Sequence, residues 1–246
     1  MPQPTKDATT PIPYRQIRAD YDSETITVYQ AYNAEIARAA VAEQKLHASP
    51  LFKPSRMTWI KPSWAWMLYR AGYSYKDRGQ ERILALKMKH EHFIKLLEHG
   101  ALAHQNPIPV SQAPQPAEQS LTESSALETS RDDRNIQPAS SVQPEIGTGR
   151  DGKPQVRVQW DPERTIRLEK LPYRSIQIGI PAAMSPEWTE TMIVGIEDVT
   201  EKARELKRVL DGRDDVSIEE LVTRGLVPVE KVFAVPEHVQ RLLDMI

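Results

Sequence analysis

The chain has 246 residues, 39% of them hydrophobic, which is enough for one large or two small cores once polar stretches are set aside. No window holds the roughly 18 uncharged apolar residues of a membrane helix, the opening MPQPTKDATTPIP lacks the apolar centre of a signal peptide, and zero cysteines exclude disulfides, thiolate metal sites and cysteine nucleophiles. These features predict a soluble intracellular protein, cytoplasmic or nuclear, with no membrane partner, and a formal charge of −2 is far from that of a dedicated nucleic-acid binder.

The charge is unevenly spread. Residues 1–106 hold 15 Lys and Arg against 10 Asp and Glu, residues 107–152 hold 3 against 7, and residues 153–246 hold 14 against 17, giving +5, −4 and −3. The basic first part suits an anionic partner, although solvated surface charge is its more common meaning.

In chain order, residues 1–12 read as a disordered tail. Glu24 to Tyr32 alternates, with Ile26, Val28, Gln30 and Tyr32 on one side and Thr25, Thr27, Tyr29 and Ala31 on the other, which predicts a strand. Asn33 is placed to cap a helix reaching about Leu46 along the stripe Ile36, Ala37, Ala40 and Val41. A short strand is expected over Arg56 to Ile60, then a helix with Pro62 in its first turn that runs to about Arg70 and stops at Gly72. Arg82 to Met88 reads as a strand and His90 to His99 as a helix closed by Gly100.

From Gln105 to Gly152 the residues are mostly Pro, Ser, Gln and acidic, without an aromatic side chain, so residues 105–152 read as a disordered insert. Beyond it, Val156, Val158 and Trp160 alternate with Gln155, Arg157 and Gln159, and Ile176, Ile178 and Ile180 alternate with Ser175, Gln177 and Gly179. Both patterns predict strands with one polar face. Met192 to Val199 is a further strand, Thr200 a cap for a helix to about Leu210 ended by Gly212, Ser217 with Glu220 a capping box, and Pro236 the start of a last helix. Neither half holds enough strands for a sheet covered on both faces. The expected fold is therefore α+β, a single domain built from residues 13–104 and 153–246, with a central mixed or antiparallel sheet flanked by helices and interrupted by the insert.

Chemistry-bearing residues concentrate in Met57 to Tyr75, where Trp59, Trp64, Trp66, Tyr69, Tyr73 and Tyr75 surround Lys61 and Arg70. Aromatic faces beside cations suit stacking on a base, with Arg or Lys holding a phosphate. The same rings also serve as core, and the helical spacing turns Trp64 and Leu68 inward while leaving Trp66, Tyr69 and Arg70 as the edge expected to meet a ligand. Gln30 on an apolar strand face either satisfies a buried hydrogen bond or points into a cleft. Arg18 and Arg174 suit clamping of a phosphate or carboxylate, or surface ion pairs. Glu197 stands at a strand end where a catalytic or metal-binding carboxylate is well placed, whereas Asp198 suits the following helix N-terminus. His90, His92, His99 and His104 lie close in sequence, but only His92 and His99 share a helix face, two turns apart, so no metal site is expected. A complete phosphate loop and a GxSxG signature are absent from the sequence, and GxGxxG occurs only at Gly147 to Gly152, within the stretch read as a disordered insert.

The words YRQIRADYDSETITVYQAYNAEIARAAV, MTWIKPSWAWMLYRAGY, VRVQWDPER and LPYRSIQIGI resemble the uncharacterised family known as domain of unknown function 4291. The resemblance runs from about Tyr14 to Gly100 and from about Gln155 to Thr200, with a weaker echo at Gly225 to Pro236. It implies that the Pro/Ser-rich stretch interrupts a shared domain, which the family joins by a shorter connection. A more distant likeness links TVYQAYNAEIARAAVAEQKL to the strand, turn and helix of the ADP-ribosyltransferases. It implies NAD as a cofactor, with Gln30 where that superfamily carries Arg or His, Ser175 as its middle polar residue and Glu197 as its catalytic glutamate. Gln30 departs from the pattern, having neither positive charge nor proton chemistry. The other functional class is a non-enzymatic module that binds a nucleotide, nucleic acid or protein through the surface Trp59 to Tyr75.

Overall fold

A short strand, β1 (Arg18–Ala19), leads into β2 (Thr25–Tyr32), where alternation sends Ile26 and Val28 to one face and Thr27 and Tyr29 to the other. The computed structural model describes residues 12–103 and 154–246, which belong to one compact unit. The tail expected over the first residues, Ile12 apart, and the insert expected over 105–152 lie outside the described residues.

Asn33 closes β2 by accepting the Ile36 N–H on its side chain at 2.9 Å, and α1 (Ala34–Glu43) follows. The helix ends before Leu46, its expected limit. Gln44 turns left-handed and its side-chain amide clamps the distant Ile196, accepting from its N–H and donating to its carbonyl, each at 2.9 Å. β3 (Thr58–Ile60) and α2 (Trp64–Ala71) come next. Ser63 caps α2 by accepting the Trp66 N–H, Gly72 ends it, and Trp64, Met67, Leu68 and Ala71 form the buried i, i+3, i+4, i+7 stripe.

β4 (Arg82–Lys89) runs into α3 (His90–Glu98), whose cap is His99. Gly100 is therefore no helix cap: it opens β5 (Gly100–Leu102), where a Cβ would sit 2.7 Å from the Leu97 carbonyl oxygen and against Val158 and Leu243. Close approach of backbone, which a sequence pattern does not show, is what this glycine permits. β6 (Val156–Arg164) and β7 (Lys170–Ile180) make a hairpin, and a single turn, α4 (Ser185–Glu187), precedes β8 (Ile193–Asp198). In α5 (Thr200–Gly212) the capping acceptor is Asp198, which takes the Thr200 N–H at 2.9 Å, while the Thr200 hydroxyl accepts the Ile83 N–H instead of capping. α6 (Ile218–Thr223), capped by Ser217, the two-residue β9 (Lys231–Val232) and α7 (Glu237–Leu242) complete the chain.

The fold is α+β, as the patterns predict. The strands divide into an antiparallel sheet β2-β4-β8, a mixed sheet β3-β7-β6-β5 in which only β5 and β6 are parallel, and the pair β1-β9. The two larger sheets meet where Tyr29 and Lys61 exchange backbone hydrogen bonds of 2.7 and 3.1 Å. Apolar side chains cover both faces of β2-β4-β8. Ile26, Val28, Leu84, Leu86 and Ile196 join Ala37, Ala40, Phe93, Leu96 and the inward residues of β6 and β7 on one side. Tyr29, Ile83 and Ala85 pack with the α2 stripe and with Ala203, Leu206 and Leu210 of α5 on the other. Each of these fully buried large side chains stabilises the fold by about 1.5–3 kcal/mol relative to exposure. The polar face of β3-β7-β6 has no such cover.

Candidate functional site

Register decides which polar residues share that face. Trp59 and Arg157 are both paired with Gly179, Gln159 with Gln177, and Asp161 with Ser175, so all of them stand opposite the apolar rows Ile60, Ile178 and Val158. Gly179 lets the Trp59 indole lie on the sheet, since a Cβ there would be 3.0 Å from its ring atoms. Lys61 follows Ile60 and returns to the Trp59 side.

A cleft of about 800 Å³ opens between this face and the end of β2. Gln30 and Tyr32 contribute one wall, Trp59, Lys61, Gln159 and Gln177 a second, Met67 and Arg70 of α2 a third, and Lys53 and Arg56 the rim. Four cations line it and no carboxylate does. Among the described residues Lys53, Arg56 and Arg70 make no ion pair. Gln30 Oε1 is buried and has no hydrogen-bond partner, an arrangement that costs about 1–3 kcal/mol if left unfilled, and the buried Tyr32 hydroxyl has only the Gln30 side chain beside it.

Lys61 is the cleft's most unusual group. Its side chain is 4% exposed, and the one hydrogen bond it makes runs to the Trp59 carbonyl at 3.3 Å. Burial, then the Arg70 charge, brings its ammonium down to about 7, against a weaker upward pull from Asp161. Asp161 accepts the Gln177 amide at 2.6 Å, and the same amide donates to Gln159 at 2.8 Å. Desolvation raises the Asp161 carboxyl despite that bond and the cations Lys61, Arg174 and Arg164.

Behind the cleft, the N-terminus of α2 is held by two further carboxyl groups. Glu163, at the bulge between the Pro162 and Arg164 pairs of β6 and β7, is 6% exposed and accepts from the Ser63 hydroxyl at 2.9 Å, the Arg164 N–H at 2.8 Å and the Ser175 hydroxyl. Burial raises its carboxyl, and those bonds together with Arg18 oppose the rise. Glu230 accepts the Trp64 N–H at 2.6 Å, and burial pushes it up to about 8 with Glu163 adding to the shift. The native chain thus keeps the Glu230 proton at pH 7, whereas the unfolded chain releases it near 4.5. That contribution is full below about pH 4.5 and is lost as pH rises through 8. Glu230→Gln keeps an acceptor for Trp64 and removes the charge, so it should match the natural chain at pH 5 and exceed it by roughly 2–4 kcal/mol at pH 9 in urea unfolding.

These placements separate residues that the sequence suggested together. Gln30 pairs with Leu84 and thereby lies on the Asp198 side of β2-β4-β8, whereas Glu197 pairs with Ala85 and lies on the Tyr29 side. The two are on opposite faces of the sheet. Glu197 is exposed, bridges Lys202 at 2.8 Å, and lines a separate pocket of about 470 Å³ with Tyr29, Trp64 and Lys87. Ser175 is 4% exposed and is spent on Glu163, in neither place. Gln30, Ser175 and Glu197 therefore form no common constellation. The pair that would hold the nicotinamide ribose is not assembled, so these residues do not fit NAD cleavage.

Of the expected ligand contacts, Arg70 lines the cleft and the others do not. Trp66 and Tyr69 stack at 5.1 Å, and this chain's own Arg164 lies 3.8 Å from the Tyr69 ring centre, occupying the face a ligand would use. Trp66 is buried with only 7% exposure. Arg18 donates to the Glu230 carbonyl at 3.2 Å, and Arg174 donates to the Tyr14 hydroxyl at 2.7 Å. Among the described residues no group of three His, Asp or Glu is placed to hold a metal ion, and no helix is long and apolar enough to cross a membrane.

The family model described as domain of unknown function 4291 matches residues 16–233, which takes in β1, β9 and every wall of the cleft. The chain belongs to this family. No curated protein matches it. Within this member of the domain of unknown function 4291, sequence reasoning missed Lys61 as a buried cleft residue and overlooked Lys53, Arg56, Gln159, Gln177, Asp161, Glu163 and Glu230. The alternation Trp59, Ile60, Lys61 and the polar rows Gln159 and Gln177 carried a signal, since an inward Ile60 forces its neighbours to the other face.

Proposed function

We propose that the protein binds a phosphorylated, nucleotide-like small molecule in the cleft between β2 and the polar face of β3-β7-β6. The observation that carries this reading is the lining of the cleft, with Lys53, Arg56, Lys61 and Arg70 and no carboxylate, in a chain whose net charge is −2. Arg56 and Arg70 offer planar forks for phosphate oxygens, and Lys53 adds a point charge. Gln30, Gln159, Gln177 and Tyr32 present the mixed donors and acceptors that read a base or ribose, with the Trp59 indole beside them. The orphaned Gln30 Oε1 gains a partner when such a ligand enters. A concave pocket favours a small molecule over an extended nucleic acid, which is gripped along a continuous basic track.

The test is calorimetric titration and thermal shift with AMP, ADP, NAD, inorganic phosphate and a short RNA. AMP or ADP should bind, and Arg70→Ala should weaken binding by about tenfold, the equivalent of one charge-assisted contact. Glu197→Gln should leave that affinity unchanged, because Glu197 lies on the far face of the sheet. Absence of any shift with all five probes, or binding indifferent to Arg70→Ala and Arg56→Ala, would overturn the reading. Tight RNA binding without AMP binding would replace it with nucleic-acid recognition.

A further inference from the structure

We infer that Lys61 is a nucleophile that forms an imine with the carbonyl carbon of a phosphorylated sugar or aldehyde held in the cleft. The inference rests on the phosphate-binding reading of the cleft and names the reactive group of its ligand.

Geometry supplies the first support. A lysine whose side chain is 4% exposed costs more to bury than it returns unless a partner or a task requires it, and the one hydrogen bond Lys61 makes is long, at 3.3 Å. Lys61 lines the cleft, where Gln30, Gln159 and Gln177 supply neutral groups, and among the described residues no carboxylate forms a salt bridge with it. The remaining cations, Lys53, Arg56 and Arg70, are free of ion pairs among the described residues and are available to a phosphate. Charge supplies the second support. Desolvation and Arg70 leave about half of Lys61 uncharged at pH 7, where an ordinary surface lysine has roughly a thousandfold smaller neutral fraction. The lone pair needed for attack is thus present on Lys61 and scarce on exposed lysines.

The chemistry balances with groups in hand. The Lys61 Nζ lone pair attacks the carbonyl carbon, the C=O π pair moves to oxygen, and one proton passes from nitrogen to that oxygen, giving a carbinolamine. A proton from solvent goes to the carbinolamine hydroxyl, which leaves as water while the nitrogen pair forms C=N, and the last N–H proton of the iminium returns to solvent. Amine and carbonyl become imine and water, with no oxidant required.

The test is reductive trapping. The full chain is incubated with ribose 5-phosphate and cyanoborohydride, and adducts are mapped by peptide mass spectrometry, with AMP binding followed in parallel because AMP has no free carbonyl. The expected result is an adduct at Lys61 at least about tenfold above any exposed lysine, consistent with its larger neutral fraction. Lys61→Arg and Lys61→Met should both remove it, the second variant serving if the first fails to fold. Arg56→Ala, which leaves the charges acting on Lys61 in place, should slow trapping of ribose 5-phosphate but not of unphosphorylated ribose. Adducts confined to exposed lysines, with AMP binding intact, would overturn the imine and leave the phosphate cleft standing. Loss of both the adduct and AMP binding would overturn the two readings together.

Discussion

Glu163→Ala is expected to destabilise the protein by about 3 kcal/mol, because it strands several buried donors at once. Ser63, Ser175 and the Arg164 N–H all converge on this carboxylate, and each is enclosed by the β6/β7 hairpin and α2. Ser63 also caps α2 through the Trp66 N–H at 3.1 Å, so loss of Glu163 frees the cap residue to rotate. The consequence extends to the cleft, since α2 carries Met67 and Arg70. Urea unfolding followed by tryptophan fluorescence measures the loss, and a change below about 1 kcal/mol would mean that the network is not formed. Glu163→Gln should cost less, about 1 kcal/mol, as its carbonyl oxygen keeps one acceptor in place.

Lys61→Met should do the reverse and stabilise. The native Lys61 amine titrates near 7 and the unfolded one near 10.5, so the unfolded chain binds the proton first as pH falls. Stability from this group is complete above about pH 10.5 and drains away as pH falls through 7. Methionine fills similar volume without a charge to desolvate. The variant should therefore unfold with about 2–4 kcal/mol more stability than the natural chain at pH 6, and with little difference at pH 10. Parallel unfolding curves at the two pH values decide it, and a variant that is weaker at pH 6 would show that Lys61 is already paired in the native state. Lys61 and Glu230 pull stability in opposite directions with pH, which places both penalties together between about pH 7 and 8. A group kept at such a cost is more readily explained by a ligand than by the fold.

Local chemistry made most elements legible in the sequence. Strand alternation at Thr25–Tyr32 and in the triple-isoleucine segment, the cap residues Asn33, Ser63 and Ser217, and the stop at Gly72 each depend on neighbours within four residues. Departures came where a distant residue intervened. Gln44 ends α1 early because Ile196 takes its amide, and Thr200 spends its hydroxyl on Ile83. Gly100 is required by packing against Leu97 and Val158.

The site was legible only in part for the same reason. The crowding of aromatics and cations between Met57 and Tyr75 did mark a cleft wall, through Trp59, Lys61 and Arg70. Tyr69 was a natural ligand candidate until Arg164, nearly a hundred residues away, came to lie on its ring. Gln30 and Glu197 looked like partners because each stands on a strand. Yet strand register, which depends on pairing through β4, puts them on opposite faces, and a shift of one residue would reverse that outcome. By itself, then, the sequence determined family membership through its long matching words, and the α+β class and most inward rows, such as Ile26 with Val28 and Trp64 with Leu68, through short-range periodicity and capping. Tertiary structure alone decided which polar faces meet. It buried Lys61 beside Arg70, drew Asp161 to Gln177, and tied Glu163 to Ser63 and Ser175, since each contact joins residues brought together only by sheet pairing and the packing of α2.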